Sequence, residues 1–221
     1  MIFMSISHAD FRHYNPLTDI QIKYQCKTLQ NVYRFLKKEV YPYTYCYIYG
    51  EGKYFKTLGF ATNKDDFMHM CGMKYKAKKN VPWKNEFLKH IENNELNYSK
   101  LMIHADGTTI EKVIVISMLP NLFKTLDITV SNEKQIKLSY NYDGYIATKK
   151  RIISLGLKSK GKNFFVPQTL LNLRKEKIQL HGDPVHAILR KNRKEKSQID
   201  IVISDDTIEL TNLEQYFEQQ S

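Results

Sequence analysis

His69 is the residue of this 221-residue chain whose surroundings best suit proton transfer. Phe67 and Cys71, four apart, mark the buried stripe of a short helix starting near Lys64, with Met70 beside them. At 100° per residue His69 lies about 200° round from Phe67, so it projects away from that stripe. A histidine off the core face, leading into Tyr75, Lys76, Lys78 and Lys79, suits an acid or base beside a phosphate-binding patch. The same spacing also fits an ordinary surface histidine. His181 and His186 flank Gly182-Asp183-Pro184, but Asp-Pro is a plain turn signal and the spacing matches no standard zinc pattern. With no third ligand evident, no metal site is expected. His8, His13, His90 and His104 have no motif around them. Gly-x-x-x-x-Gly-Lys-Ser/Thr, Gly-x-Gly-x-x-Gly and Gly-x-Ser-x-Gly are all missing, so no cofactor is expected.

Cations gather where strands end. Thr148-Lys149-Lys150-Arg151 joins two expected strands, Val166-Pro167-Gln168-Thr169 ends another, and Arg190-Lys191-Asn192-Arg193-Lys194-Glu195-Lys196 turns between the last two. Ends of adjacent antiparallel strands come close, and cations there can hold a phosphate. Taken singly, each also reads as a solvated turn. The formal net charge is +11, and its placement is uneven. From Ser197 to Ser221 there are six acids and no Lys or Arg, which leaves all 34 bases against 17 acids in the residues before. A positive body of that size draws in polyanions. Richness in Lys, Asn, Ile and Tyr also follows from AT-rich coding. The acidic end reads as a solvated face or as an internal mimic of phosphate.

These groups need elements to hold them. Ile22, Cys26, Leu29, Tyr33 and Leu36 recur at helical spacing, so Asp19–Lys38 is expected as an amphipathic helix, broken at Pro42. Val40–Tyr49 then changes to period two and puts Tyr41, Tyr43, Tyr45, Tyr47 and Tyr49 on one strand face. Gly50–Lys53 turns it into a second strand, Tyr54–Ala61. A tyrosine face can stack bases, but cross-strand packing with hydroxyls reaching water is the preferred reading. Asn63 caps the His69 helix and Gly72 stops it. Pro82 opens another helix, with Trp83, Phe87 and Ile91 as its buried stripe. Thr108-x-x-Glu111 reads as a capping box for a third, kinked or ended before Pro120. From Ile128 onward strands are expected at 136–140, 145–148, 151–157, 163–169, 185–190 and 199–204, with Ser159–Lys162 as a hairpin tip. The expected class is α+β, a helical N-terminal half followed by an antiparallel β-sheet.

Asp66-Phe67-Met68-His69-Met70-Cys71-Gly72-Met73-Lys74, preceded by a hairpin strand, resembles the Phe-x-His-Leu-x-Gly segment of nucleases from phages and mobile elements. These are grouped with barnase, EndoU, colicin ribonucleases and RelE as the BECR fold. The resemblance is closest to their fourth phage-type subfamily. Asn163–Leu171 is similar to that subfamily's aromatic-x-Pro-x-Ser/Thr strand end, and Val185–Arg193 with its basic turn fits the order. The match runs roughly from Tyr45 to Ser204. Met70 stands for the usual Leu, and Thr169, after Gln168, stands where Ser is common.

The resemblance implies a BECR/RelE-like fold and metal-independent RNA cleavage. In that reaction the 2′-hydroxyl attacks phosphorus and leaves a 2′,3′-cyclic phosphate. It implies His69 as acid or base, Lys150 and Arg151 as stabilisers of the phosphorane, with Lys149 able to replace Lys150, and Thr169 on a phosphate oxygen. Tyr75 or a strand tyrosine would stack a base of single-stranded RNA. Lys76, Lys78, Lys79, Lys149, Arg190, Lys191 and Arg193 would bind the backbone. The expected domains are a helical extension over 1–40, a nuclease unit over 41–204 and an acidic segment over 205–221. Two other functions fit the same basic body: a non-catalytic nucleic-acid regulator or accessory protein of a mobile element, and a toxin held silent by an antitoxin or immunity partner.

Ordinary hydrophobic content excludes wholesale disorder, and 9 Gly with 6 Pro exclude collagen. Three Cys without a C-x-x-C pair exclude a disulfide scaffold. No apolar run approaches the roughly 20 residues that span a bilayer, and Met1–Ser7 does not read as a signal peptide, so a cytoplasmic protein without membrane contact is expected.

Overall fold

The structure, a computed structural model, describes residues 13–18, 20–52, 54–132, 142–176, 180–195 and 197–218. Strand β1 (Tyr14–Pro16) leads into helix α1 (Ile20–Phe35), which widens into one π-helical turn over Leu36–Val40 before Pro42. Cys26, Leu29, Val32, Tyr33 and Leu36 are buried along it, as the helical spacing predicts.

The hairpin β2 (Tyr43–Glu51) and β3 (Tyr54–Phe60) follows, then α2 (Asp66–Cys71), β4 (Met73–Tyr75), α3 (Trp83–Glu92), β5 (Leu101–His104) and α4 (Thr108–Val115). Helix α4 tightens into a 3₁₀ run over Ile116–Phe123 that carries Pro120. Next come β6 (Ile128–Ser131), β7 (Gly144–Thr148), β8 (Ile153–Gly161), β9 (Phe164–Asn172) and a short α5 (Leu173–Glu176). Strands β10 (Asp183–Asn192) and β11 (Ile199–Ser204) and a last turn α6 (Gln215–Glu218) complete the order. The expected strand at 136–140 lies outside the described residues. The β8–β9 tip falls at Lys162-Asn163, two residues later than expected, where Asn163 takes a positive φ of 55°.

The architecture corrects the expected one. Eight strands form one sheet in the order β11-β10-β2-β3-β9-β8-β7-β6, and helices lie between strands in the chain rather than ahead of them. The sheet is mixed, because β3 and β9 run parallel through Gly59–Phe164 and Phe60–Phe165. Asp183 and Pro184 of β10 also pair with Val130 and Thr129 of β6, so the sheet curls and meets itself at that end. A separate antiparallel sheet, β1-β5-β4, stands beside it.

The reason the hairpin sits in the centre of the sheet is its lack of a polar face. Tyr45, Tyr47 and Tyr49 on one side, and Cys46 and Ile48 on the other, are all 1% exposed or less. A strand apolar on both faces needs cover on both and strands on both edges. The tyrosines are core residues, as preferred, but two of their hydroxyls end on protein rather than water. Tyr45 donates to the carbonyl of Glu39 at 2.6 Å and Tyr47 to that of Leu122 at 3.0 Å. Each buried hydroxyl thereby satisfies a carbonyl at a helix end.

The opposite face is covered by the C-terminal segment. Phe217 packs on Cys46, Ile48, Ala187 and Leu189, with Ile208, Leu210 and Leu213 around it. Strand β11 is the sheet edge, and its Ile201 is 48% exposed.

Candidate active site

A cleft of about 430 Å³ opens between α2, the small sheet, α4 and β9. His69 reaches it from α2. That helix begins with a reciprocal pair of hydrogen bonds: the Asn63 side chain accepts from the Asp65 N–H at 2.9 Å, and Asp66 accepts from the Asn63 N–H at 3.0 Å. It ends at Gly72, whose φ of 65° is left-handed. Phe67, Met68, Met70 and Cys71 are buried, while His69 is exposed. The helix thus spends four side chains on packing and presents one imidazole.

Gly72 serves a second purpose. A Cβ there would come within 3.2 Å of Lys112 Cδ and Nζ. Lys112 of α4 lies over the glycine and donates to Thr169 Oγ1 at 2.7 Å. Its ammonium is thereby brought to the strand end that the sequence singled out. Strand β9 takes up one extra residue there, since Gly156 pairs with Thr169 while Leu157 pairs with Pro167. A bulge of this kind re-aims side chains, and Gln168 and Thr169 both line the cleft.

Lys84 of α3 lies 3.1 Å from His69 Nε2. With the ring neutral, the ammonium donates to the Nε2 lone pair. The His69 pKa is lowered, first by partial burial of the ring and then by the Lys84 charge, against the opposing pull of Asp66. His69 is therefore poised as a base at neutral pH.

Glu111 does not close a capping box. Asp106 takes that task, accepting from the Thr108 N–H at 2.9 Å and from its hydroxyl at 2.8 Å. The freed carboxylate of Glu111 accepts from Asn172 at 3.1 Å and pairs with Lys175 at 2.9 Å on the cleft wall. His104, at the end of β5, also lines the cleft, with Nδ1 2.8 Å from Asp106.

His69 and Thr169 therefore come together, but other expected site residues do not join them. Lys149 and Arg151 line a separate, smaller cleft of about 190 Å³ with Thr148 and His181, and Lys150 is exposed on the turn beside it. Cations at the main cleft come instead from Lys74 and Lys112, with Lys84 at His69. Tyr75 is fully buried, its hydroxyl 2.7 Å from His90 Nδ1, so its ring presents no face for a base. In β4 it is Lys74, between buried Met73 and Tyr75, that looks into the cleft, with its Nζ 4.3 Å from the centre of the Tyr14 ring. Lys76, Lys78 and Lys79 are exposed beyond it.

The basic turn is partly structural. Arg190 bonds to Glu39 at 2.9 Å and Asp200 at 3.0 Å and lies over the Tyr43 ring, which occupies its guanidinium. Arg193 donates to the carbonyl of Thr62, and burial lowers its pKa. Lys191 stands near the Phe217 ring. Sequence reasoning missed Lys112, Lys84 and His104. Lys112 had a signal, as the lone cation in the apolar stretch from Ile110 to Leu119.

Among the described residues, no three His, Cys, Asp or Glu side chains cluster as a metal site, and no helix is long and apolar enough to cross a membrane. The model of one protein family matches residues 28–207: phage-Barnase-EndoU-ColicinE5/D-RelE like nuclease4, PBECR4. No curated protein and no solved structure matches the chain.

Proposed function

Since the chain belongs to this family of phage-type nucleases, we propose that it is a metal-independent endoribonuclease, a toxin or mobile-element effector that cuts single-stranded RNA. The observation that carries this reading is the meeting of a neutral imidazole, His69, with the Lys112–Thr169 pair in one cleft.

RNA differs from DNA in carrying its own nucleophile. The incoming 2′-hydroxyl takes the place of the Lys84 ammonium at His69 Nε2, that nitrogen accepts the hydroxyl proton, and the 2′-oxygen forms a bond to phosphorus. The negative charge that grows on the non-bridging oxygens faces the Lys112 ammonium. Thr169 accepts from Lys112 and donates only a long bond of 3.4 Å to the Leu170 carbonyl, so its hydroxyl proton can turn to one of those oxygens. Such preorganised donors act where charge develops. The bond to the 5′-oxygen breaks with its electron pair, that oxygen is protonated, and a 2′,3′-cyclic phosphate remains. The exposed Lys76, Lys78, Lys79 and the Lys149–Arg151 turn draw in the backbone at longer range.

The test is incubation of the purified protein with end-labelled RNA in EDTA, beside His69→Ala, with analysis of the product ends. Cleavage with cyclic phosphate ends, lost in the variant, is expected. Salt-sensitive binding without cleavage would overturn the reading in favour of a nucleic-acid-binding regulator.

A further inference from the structure

The 5′-oxygen is a poor leaving group unless it receives a proton, and His69, kept neutral by burial and Lys84, is suited to the opposite task. The cleft holds a second imidazole in a contrasting setting. His104 ends β5 in the small sheet, where Tyr14 pairs opposite it. Its Nδ1 lies 2.8 Å from Asp106 Oδ1. Asp106 is itself fixed by the N–H and hydroxyl of Thr108 at the start of α4. The Tyr14 ring stands edge-on to the imidazole at 4.9 Å, and the His13 ring is stacked at 6.4 Å. Carboxylate and rings together set the orientation of His104.

Asp106 stands on the Nδ1 side of the ring, so Nε2 is the nitrogen left to a substrate. The carboxyl pKa of Asp106 is lowered: burial pushes it up, but Thr108 and His104 outweigh that. The other charged or titratable groups around His104 are His13, just before β1, Tyr14 from β1, Lys74 from β4, and Glu111 and Lys112 from α4.

We propose that His104, oriented by Asp106, is the general acid of this cleft and gives its Nε2 proton to the departing 5′-oxygen. The assignment rests on the endoribonuclease reading and deepens it. As the P–O5′ bond breaks, its electron pair goes to oxygen, which takes the proton. His104 is left neutral and His69 protonated, and exchange with water restores both.

Two dinucleotide substrates test it, one ordinary and one with sulfur in place of the 5′-oxygen, since a thiolate leaves without protonation. His104→Gln is expected to slow the oxygen substrate by about 10²-fold or more, and the sulfur substrate by less than about tenfold. That retained cleavage also reports a folded site. His69→Ala is expected to slow both. Equal losses on the two substrates in His104→Gln, or none on either, would overturn the assignment while leaving the endoribonuclease reading intact. Failure of the wild-type protein to cut either substrate would overturn that reading and the acid with it. Asp106→Asn, which keeps the oxygen that caps Thr108, is expected to slow the oxygen substrate more than the sulfur substrate, in the pattern of His104→Gln. Equal losses on the two, or none, would deny Asp106 its positioning role.

Discussion

His104 and His186 each sit beside an aspartate at nearly the same distance, 2.8 Å to Asp106 and 2.9 Å to Asp205. Their second nitrogens differ. His186 Nε2 lies 3.1 Å from the carbonyl of Gly50, and Thr207 adds a hydroxyl at 2.8 Å on the Nδ1 side, so the ring is bonded at both ends. It ties the C-terminal segment to the β2–β3 hairpin and is not among the residues that line the cleft. Among the described residues His104 has Asp106 2.8 Å from Nδ1 and no hydrogen bond at Nε2, and it lies on the cleft. An imidazole held at both nitrogens is a strut, and one held at a single nitrogen can exchange a proton. The residue pair alone therefore says little about role. What the second nitrogen meets decides it.

The contrast predicts that changes in the cleft cost rate, while changes at the strut cost stability. The largest effect is expected for His69→Ala, a loss of about 10²–10⁴ in kcat/KM on RNA with an unchanged melting temperature. Lys112→Met comes next, with about 10²–10³ lost from kcat and little change in KM, because its charge acts on the transition state. A KM effect alone would make Lys112 a binding residue. Thr169→Val follows, with about a tenfold loss that Thr169→Ser avoids, the hydroxyl contributing a single hydrogen bond of about 1–2 kcal/mol. His186→Ala should destabilise the fold by about 1–3 kcal/mol in denaturant titration and leave the cleavage rate of the folded protein unchanged. A rate loss there would erase the distinction between the two histidines.

The two sides also differ in pH dependence. His69 is lowered below the ordinary histidine value, so cleavage should rise with pH through an apparent pKa below about 6.5. Lys84→Ala removes a charge that disfavours the protonated ring, and should shift that acid limb to higher pH. Asp205 is also lowered, since the bonds from Thr207 and the pairing with His186 outweigh burial. A depressed carboxyl stabilises the fold above its unfolded value near 3.9, and that gain is lost as pH falls through the folded value. Wild type and Asp205→Asn should therefore converge in stability below about pH 4.

Local structure was legible where neighbours in sequence decide it. The spacing of Phe67, His69 and Cys71 placed the imidazole outside the core, and Gly72 marked the stop. The hairpin and the strand at 199–204 were also readable. Long-range choices were not. The parallel meeting of β3 with β9 leaves no trace in either segment, though the doubly apolar Tyr45–Tyr49 run could have marked a central strand. Tyr75 was misread because a three-residue strand has too few positions to reveal which face is buried. Thr108-x-x-Glu111 matched a capping pattern that Asp106, two residues earlier, fulfils instead. The cations of the Lys149–Arg151 turn looked right for the site by order alone, whereas Lys112 acquires its place only once α4 packs over Gly72.

The position of β2 and β3 in the middle of the sheet has a consequence for the birth of the protein. Their partners β9 and β10 come about 100 residues or more later in the chain, so neither edge of the hairpin can be covered early. At a synthesis rate of roughly 5–20 residues per second, Thr169 follows His69 by about 5–20 seconds. Until then the groove between α2 and β9 does not exist, and His69 stands on a segment with no lysine-bound hydroxyl opposite. The cleft is therefore assembled only once the chain has been made as far as β9, about 100 residues after His69.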